Sequence, residues 1–248
     1  MISFSVFFFA VLLTFIIHYI GAISLSARIV ATSTGMTASS LSLFNIITAI
    51  AQLSVSILAP LLTKSVEAII INGQVFNIWQ FRIIIFGATF GGILGAFSIP
   101  SIHRFMEKGV YKLYNERSIL KLIIKSLRPN LIVHFISSMK MPNKKNYTSL
   151  MNTRDMPLGI IFMNLLVNAF ISISILSCLY AGYLNPMYRT TALSLNALSI
   201  SIGLAAMLLI VEPYNATITD KVIHGTVTHA YFRKYLAYVM LGRISRTL

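Results

Sequence analysis

The residues best suited to chemistry in this sequence are polar side chains within an otherwise apolar run from Ser40 to Leu62. They recur at intervals of three or four positions, as Ser42, Asn45, Thr48, Gln52 and Ser56. This spacing places them along one side of an α-helix. Because hydrocarbon offers no hydrogen-bond partner, such a stripe in a membrane must face other protein or a hydrated cavity.

A weaker copy of this region lies late in the chain. Arg189 precedes the segment Leu193 to Asn196, and Glu212 with Pro213 follows it. In the first copy, Arg28 lies just upstream of the polar run. We interpret the two polar-faced helices as the elements around which the chain is organised.

Composition decides the class of protein. The chain has 248 residues, of which 56% are hydrophobic and 10% charged, and its mean hydropathy is +0.80. Soluble proteins carry about 25% charged residues, so we expect an integral membrane protein with a single membrane domain over residues 1–248. The single cysteine, Cys178, excludes an internal disulfide framework.

The net charge of +14 is concentrated in one segment, since eleven of the 20 basic residues lie between Arg104 and Arg154. Lysine and arginine collect in cytoplasmic loops, and they also attract anionic lipid head groups. We therefore expect residues 101–156 to form a basic, amphipathic cytoplasmic segment that contacts anionic membrane lipids, with the N-terminus outside. A nucleic-acid partner would require a soluble basic module, and the sequence predicts none.

The apolar segments predict an all-α integral membrane helical bundle with about six transmembrane helices. One three-helix half occupies residues 1–100 and the other residues 157–248. The expected helices are about Ile2–Val30, Thr37–Thr63, Ile78–Pro100, Pro157–Tyr183, Arg189–Ile210 and Tyr231–Leu248. In the third helix, Gly87, Gly91 and Gly95 form a tandem GxxxG face that predicts close helix packing. The last helix is short enough to be either a crossing or an interfacial helix.

An internal repeat favours the crossing. The run Ser40–Pro60 aligns with Ala192–Pro213, and Gly73-Gln74-Val75 followed by Phe81-Arg82 aligns with Gly225-Thr226-Val227 followed by Phe232-Arg233. Three spans per half would bring the second half into the membrane from the opposite side. This is an inverted-topology repeat, an architecture of transporters that places the binding site between the halves.

Several segments of the chain resemble a known family. They are His18, Ser26-Ala27-Arg28, Leu41 to Ile47, Ala59 to Leu62, Tyr188 to Ala192, Glu212-Pro213, Asp220 and Gly225. On these residues the sequence resembles the Amj family of bacterial lipid II flippases, over most of the chain except the basic segment. It departs from the family pattern at Gly21, where an acidic residue is usual, and at Gln52, where a basic one is usual.

The resemblance implies a transporter that moves lipid II from the inner to the outer leaflet of the bacterial cytoplasmic (inner) membrane, for peptidoglycan and cell wall synthesis. Since no ATP-binding motif is visible in the sequence, we expect transport by alternating access without a cofactor. Lipid II is a peptidoglycan precursor with a diphosphate between a prenyl tail and a sugar-peptide head group. Binding its polar parts requires hydrogen-bond donors and positive charge along the path.

The candidate substrate-binding residues follow from that chemistry. Arginine bonds two phosphate oxygens at once, so the diphosphate candidates are Arg28, Arg189, Arg82 and Arg233. Arginines near helix ends also act as surface anchors.

The head-group candidates are Ser42, Asn45, Gln52 and Asn196, whose other role is interhelical hydrogen bonding. His18 lies well inside the first helix, where it could bind phosphate, carry a proton or bond a backbone carbonyl. Glu212 and Asp220 are candidates for a gating ion pair.

The sequence does not predict catalysis or metal binding. It contains no clustered acids and no nucleophile–base spacing, and His224 and His229 are not on one helix face. Two alternatives to a flippase stay open: an integral membrane enzyme acting on polyprenyl phosphates, and a structural subunit of a membrane complex. The sequence also leaves a homodimer open.

Overall fold

The structure, a computed structural model, describes residues 2–116 and 156–245, so most of the predicted basic segment lies outside the described residues. The described residues form helices and contain no strand. The α-helices are α1 (Phe4–Ile23), α2 (Ser26–Thr34), α3 (Thr37–Ile71), α4 (Ile78–Glu116), α5 (Leu158–Leu184), α6 (Arg189–Ala206), α7 (Glu212–Ile223) and α8 (His229–Ser245). A short 3-10 turn, Pro186–Tyr188, precedes α6, and a π-helical segment, Met207–Val211, joins α6 to α7.

Five helical stretches in this part of the chain are long and apolar enough to cross a membrane. They are Phe4–Thr34, Thr37–Ile71, Ile78–Asn115, Leu158–Leu184 and Pro186–Ile223. The predicted all-α membrane bundle is therefore confirmed. Helix α8 has 17 residues, or about 25 Å of helix. The prolines Pro60 and Pro100 lie inside α3 and α4, which continue past the predicted ends because membrane helices tolerate proline.

The first predicted helix is broken in two at Ser24 and Leu25. The Ser24 hydroxyl donates to the Gly21 carbonyl oxygen at 2.8 Å, and the Ser26 hydroxyl donates to the Ile23 carbonyl oxygen. Serine hydroxyls that bond to nearby carbonyls compete with the helical ladder and bend it. As a result, α2 begins as a separate helix with Arg28 in its first turn.

Glycines set the distance between α1 and α4. A Cβ atom at Gly91 would collide with the carbonyl oxygen of Phe15, and one at Gly95 would lie 2.9 Å from the carbonyl oxygen of Tyr19. Only glycine allows the two backbones to approach this closely. The close packing predicted from the GxxxG spacing is confirmed.

The second half has a similar arrangement around α5. Helix α5 packs against α6 and α8, as α1 packs against α3 and α4. At the α5–α6 contact, a Cβ on Gly203 would lie 2.8 Å from Ile171 Cγ1, and at the α5–α8 contact a Cβ on Gly242 would lie 3.6 Å from Leu165 Cβ. Small residues again bring the central helix close to its neighbours.

Among the described residues, the most extensive helix contacts between the halves are α3 with α5, α2 with α7, and α4 with α8. Leu58 and Leu62 of α3 share a buried apolar cluster with Leu176 of α5. Helix α8 runs antiparallel to α4, since Arg233 at its start interacts with His103 late in α4, and a Cβ on Gly92 would lie 3.4 Å from Ile244 near its end. Helix α6 has no extensive contact with α3 among the described residues.

The loops after α3 and α7 begin with the same turn. Gly73 and Gly225 both have positive φ values, of 59° and 75°. In each case the following amide donates to a carbonyl five residues back, Gln74 to Ile69 and Thr226 to Lys221, both at 2.9 Å. These bonds are those of a helix C-terminus closed by a left-handed residue, a position that favours glycine.

The positive φ at Gly225 predicts a measurable cost of substitution. We expect Gly225→Ala to lower the free energy of unfolding by about 1 kcal/mol, because an L-residue is strained in the left-handed region. Gly159→Ala is the matched control, since Gly159 lies inside α5 with open space around it. Thermal unfolding of the purified protein in detergent would check this, and equal melting temperatures for the two variants would contradict it.

Candidate functional site

Arg28 lies where both halves of the molecule meet. Its side chain is buried, and Nη2 donates to a carboxylate oxygen of Glu212, the first residue of α7. The guanidinium also lies over the ring of Phe44 in α3, with its central carbon 5.3 Å from the ring centroid. An aromatic face attracts a desolvated guanidinium. One arginine therefore connects α2, α3 and α7.

A second arginine joins this ion pair from the last helix. Arg243 Nη1 donates to the Gly21 carbonyl oxygen at 2.7 Å, at the end of α1. Arg243 is also close enough to interact electrostatically with Arg28 and Glu212. Arg28 alone is bonded to the carboxylate, with Arg243 nearby, so two guanidinium groups lie near one acid and the three side chains carry a net positive charge. We call them the arginine cluster.

The carboxylate of the arginine cluster is more exposed than the arginine it binds. The side chain of Glu212 has a relative exposure of 32%, against 6% for Arg28. A buried charge is costly unless it is paired, and here the partner of the buried arginine can be reached from outside. The geometry suits exchange of the carboxylate for an external anion.

Tyrosines hold α7 against α8 beside the arginine cluster. Tyr235 is fully buried, and its hydroxyl donates to Asn215 Oδ1 at 2.7 Å. The ring of Tyr214 packs on that of Tyr235 with centroids 5.7 Å apart. These contacts fix the first turn of α7 and therefore position Glu212.

Of the four arginines predicted to bind substrate, only Arg28 belongs to the arginine cluster. Arg82 is exposed near the start of α4, where its guanidinium lies 4.7 Å from the Trp79 ring centroid. Arg233 is exposed at the start of α8, where it interacts electrostatically with His103 of α4. Arg189 is half-buried at the start of α6, and a Cβ on Gly182 would lie 3.3 Å from it.

The predicted polar residues lie on several faces. Asn45 and Gln52 are exposed on α3, and Ser42 is half-buried. Asn196 is half-buried on α6, where its backbone oxygen accepts from the Ser174 hydroxyl at 3.3 Å.

His18 is half-buried, with Nδ1 2.9 Å from the Thr14 carbonyl oxygen. Asp220 is exposed, and its backbone oxygen lies 2.8 Å from His224 Nδ1.

Sequence reasoning missed Arg243, Tyr235 and Asn215. A signal for Arg243 was present, because it follows the apolar run from Val239 to Gly242 and an ionisable residue inside such a helix indicates function. Within the described residues, no group of three histidine, cysteine or acidic side chains could hold a metal ion.

Comparison with known proteins decides the family. A family model described as "Amj: Alternate to MurJ" matches residues 13–248. The chain belongs to the Amj family. A curated Amj relative, "Lipid II flippase Amj" of Bacillus subtilis (strain 168), is 27% identical over 234 residues, covering 94% of this chain and 87% of the relative. No solved structure matches the chain.

Membership of the Amj family agrees with the resemblance found in the sequence. The relative is named as a flippase, which is a transporter and not an enzyme. With five helical stretches able to cross a bilayer, the chain is a multi-pass membrane protein. The arginine cluster draws its members from α2, α7 and α8, all within the matched residues.

Proposed function

We propose that this protein flips lipid II from the inner to the outer leaflet of the bacterial cytoplasmic membrane. The observation that carries the proposal is the arginine cluster, which lies between the halves, contains the buried Arg28 and carries net positive charge. Charged groups inside a membrane protein mark substrate or ion pathways. The named function of the Bacillus subtilis relative supports lipid II as the substrate.

In this proposal the diphosphate of lipid II replaces the Glu212 carboxylate on Arg28. The planar guanidinium forms paired, charge-assisted hydrogen bonds with phosphate as it does with carboxylate. The bond between Arg28 and Glu212 links α2 to α7, so loading of substrate would break a contact between the halves. Glu212 thereby acts as a gate that opens when the anion arrives.

The path for the head group would run between α3 and α6. These helices make no extensive contact among the described residues, and the polar side chains of Asn45 and Gln52 are exposed on α3. On α6, Ser194 and Ser201 are exposed. We propose that this gap forms a hydrated furrow for the head group while the prenyl tail stays in lipid.

The proposed mechanism is alternating access between two inverted halves, with α8 as the sixth crossing. Three features support an internal repeat. The interhelical contacts occur in equivalent pairs: α1–α4 with α5–α8, α1–α3 with α5–α6, and α3–α5 with α7–α2. At the aligned positions, Phe81 and Phe232 are both buried, whereas Arg82 and Arg233 are both exposed.

The third feature is a polar pair in the first helix of each half. His18 Nδ1 lies 2.9 Å from the Thr14 carbonyl oxygen, and Asn168 Nδ2 donates to the Asn164 carbonyl oxygen at 2.7 Å. Each pair is separated by four residues and lies near the glycine contact of its half, Phe15 with Gly91 and Leu165 with Gly242. Equivalent polar pairs at equivalent depth are what a repeat predicts.

The orientation proposed places the α4 C-terminus in the cytoplasm and the N-terminus outside. Arg104 and Lys108 are exposed beyond the apolar part of α4, as the positive-inside rule expects, and would contact anionic lipids there. The membrane potential then favours outward movement, since each negative charge leaving the cell gains about 2.3 kcal/mol per 100 mV.

The test is a leaflet-translocation assay with purified protein in liposomes. Fluorescent lipid II supplied in one leaflet should become accessible to a membrane-impermeant quencher on the other side, without chemical change. Release of phosphate would instead indicate an enzyme, and neither translocation nor release would contradict the proposal. Liposomes lacking protein give the background rate.

A further inference from the structure

Arg243 is the arginine of the cluster that no carboxylate neutralises among the described residues. In this part of the chain, the salt bridge at the cluster joins Glu212 to Arg28. The one hydrogen bond that Arg243 makes within the same ranges runs from Nη1 to the Gly21 carbonyl oxygen. Its Nε atom is buried and has no hydrogen-bond partner there. The second guanidinium is therefore held in place without a matching negative charge.

The free donors of Arg243 lie along one edge of its guanidinium. The N–H of Nε and one N–H of Nη2 point the same way and form a fork that matches two oxygens of a phosphate. Nη1, which donates to Gly21, lies at the other corner of the group. The bond to Gly21 thus orients the guanidinium and leaves the fork for another acceptor. Because a buried donor without an acceptor is unfavourable, this edge favours an anionic ligand.

Both guanidinium groups lie near the same tyrosine. Tyr235 is fully buried and interacts electrostatically with Arg28, Glu212 and Arg243. Arg28 reaches this point from α2 in the first half of the chain, and Arg243 reaches it from α8 in the second. An anion bound by the two arginines would therefore contact both halves at once.

One negative charge does not match this pair of arginines. Glu212 is the acidic side chain that interacts electrostatically with Arg243 among the described residues, and its carboxylate is bonded to Arg28. A diphosphate that joins a prenyl tail to a sugar carries two negative charges, one on each phosphate group. Once Glu212 has left Arg28, two positive groups would meet two negative ones. The charge of the cluster therefore fits a diphosphate better than a single phosphate.

We infer that Arg243 binds the second phosphate of the diphosphate while Arg28 binds the first, so that the protein selects diphosphate-linked lipids over lipids with a single phosphate. This inference rests on the proposed function, because it assumes that Arg28 receives the substrate. A diphosphate would replace the link between α2 and α7 by a link between α2 and α8. A single phosphate would displace Glu212 and leave Arg243 unfilled. An anionic phospholipid with one phosphate would therefore be a poor substrate.

A matched pair of lipids tests the inference by binding in detergent. Both lipids have the same prenyl tail and the same N-acetylated hexosamine, joined by a diphosphate in one and by a single phosphate in the other. Binding to the purified full chain is measured by isothermal titration calorimetry. The wild-type protein should bind the diphosphate lipid about 30-fold more tightly, because hydrogen bonds to a charged group are among the stronger ones.

Arg243→Gln should remove this preference. It should weaken binding of the diphosphate lipid about 30-fold and change binding of the single-phosphate lipid by less than about twofold. A purely structural role of Arg243 would instead weaken both. Arg243→Lys, which keeps the charge but lacks the fork, should also lose most of the preference, and it replaces the glutamine variant if that variant does not fold. Arg233→Gln is the control, since Arg233 is exposed on the same helix, and it should keep both affinities.

Equal affinities of the wild-type protein for the two lipids, or binding of neither, would overturn the inference. A preference that survives in the Arg243 variants, or an equal loss of both affinities, would overturn it as well. Translocation of lipid II by unmodified protein is measured separately in liposomes, so the proposed function can hold while this inference fails. A preference for the diphosphate lipid without translocation would contradict the proposed function alone.

Discussion

The double variant Arg28→Gln/Glu212→Gln is expected to fold normally and to lose translocation of lipid II. Glutamine at both positions removes the two charges together and can keep a hydrogen bond between α2 and α7. Loss of the charge that holds the diphosphate should cost about 2–5 kcal/mol of substrate binding. The translocation rate at limiting lipid II should fall at least about 30-fold, since each 1.4 kcal/mol corresponds to a factor of ten.

Single variants separate this role from a structural one. Glu212→Ala leaves the buried guanidinium of Arg28 without its carboxylate partner, and an uncompensated buried charge of this kind destabilises a protein by about 3–5 kcal/mol. We expect low abundance for Glu212→Ala, and abundance restored to wild type in the double glutamine variant. Abundance is measured by fluorescence-detected size-exclusion chromatography, and translocation in liposomes at matched protein amounts. Wild-type translocation by the double variant would exclude Arg28 from substrate binding.

The second large effect is expected from adding one methyl group to α4. Gly91→Ala should destabilise the protein by about 3 kcal/mol or more, because the Cβ would collide with the backbone of α1 and the helices would have to separate. Backbone cannot move aside as a flexible side chain can. The loss is measured as a fall in melting temperature and in the folded fraction after purification.

The neighbouring residue supplies the control. A Cβ at Gly92 would lie 3.4 Å from Ile244 Cγ1, which is close to an ordinary van der Waals contact with a movable side chain. Gly92→Ala has the same chemistry and the same effect on helix propensity as Gly91→Ala. Equal melting temperatures for the two variants would show that α1 and α4 are not held together by this glycine contact.

The sequence predicted the features that depend on local patterns. Apolar runs defined the helices, and the spacing of Gly87, Gly91 and Gly95 predicted the α1–α4 contact. The ends of the helices were less predictable, because Pro60 and Pro100 lie inside long helices. The break at Ser24 depends on hydroxyl bonds to backbone carbonyls, which sequence spacing alone does not reveal.

The candidate site was only partly predictable, because it depends on contacts far apart in the chain. Arg28 and Glu212 are separated by 184 positions, and no periodicity relates them. The polar stripe of α3 was visible in the sequence, yet its spacing could not show that Asn45 and Gln52 remain exposed. Arg243 was overlooked because the depth of the last helix was undecided.

The π-helical segment Met207–Val211 determines which way Glu212 faces. Such a segment accommodates its residues with wider i→i+5 bonding than the α-helices on either side. If this segment became regular α-helix, it would be wound with one residue fewer in each hydrogen-bonded turn. Helix α7 would then rotate by about 100°, the angle per residue of an α-helix. Glu212 would point away from Arg28, and the contacts of Asn215 and Tyr214 with Tyr235 would break. The irregular winding of this one turn thus sets the rotation of α7 at which Glu212 reaches Arg28.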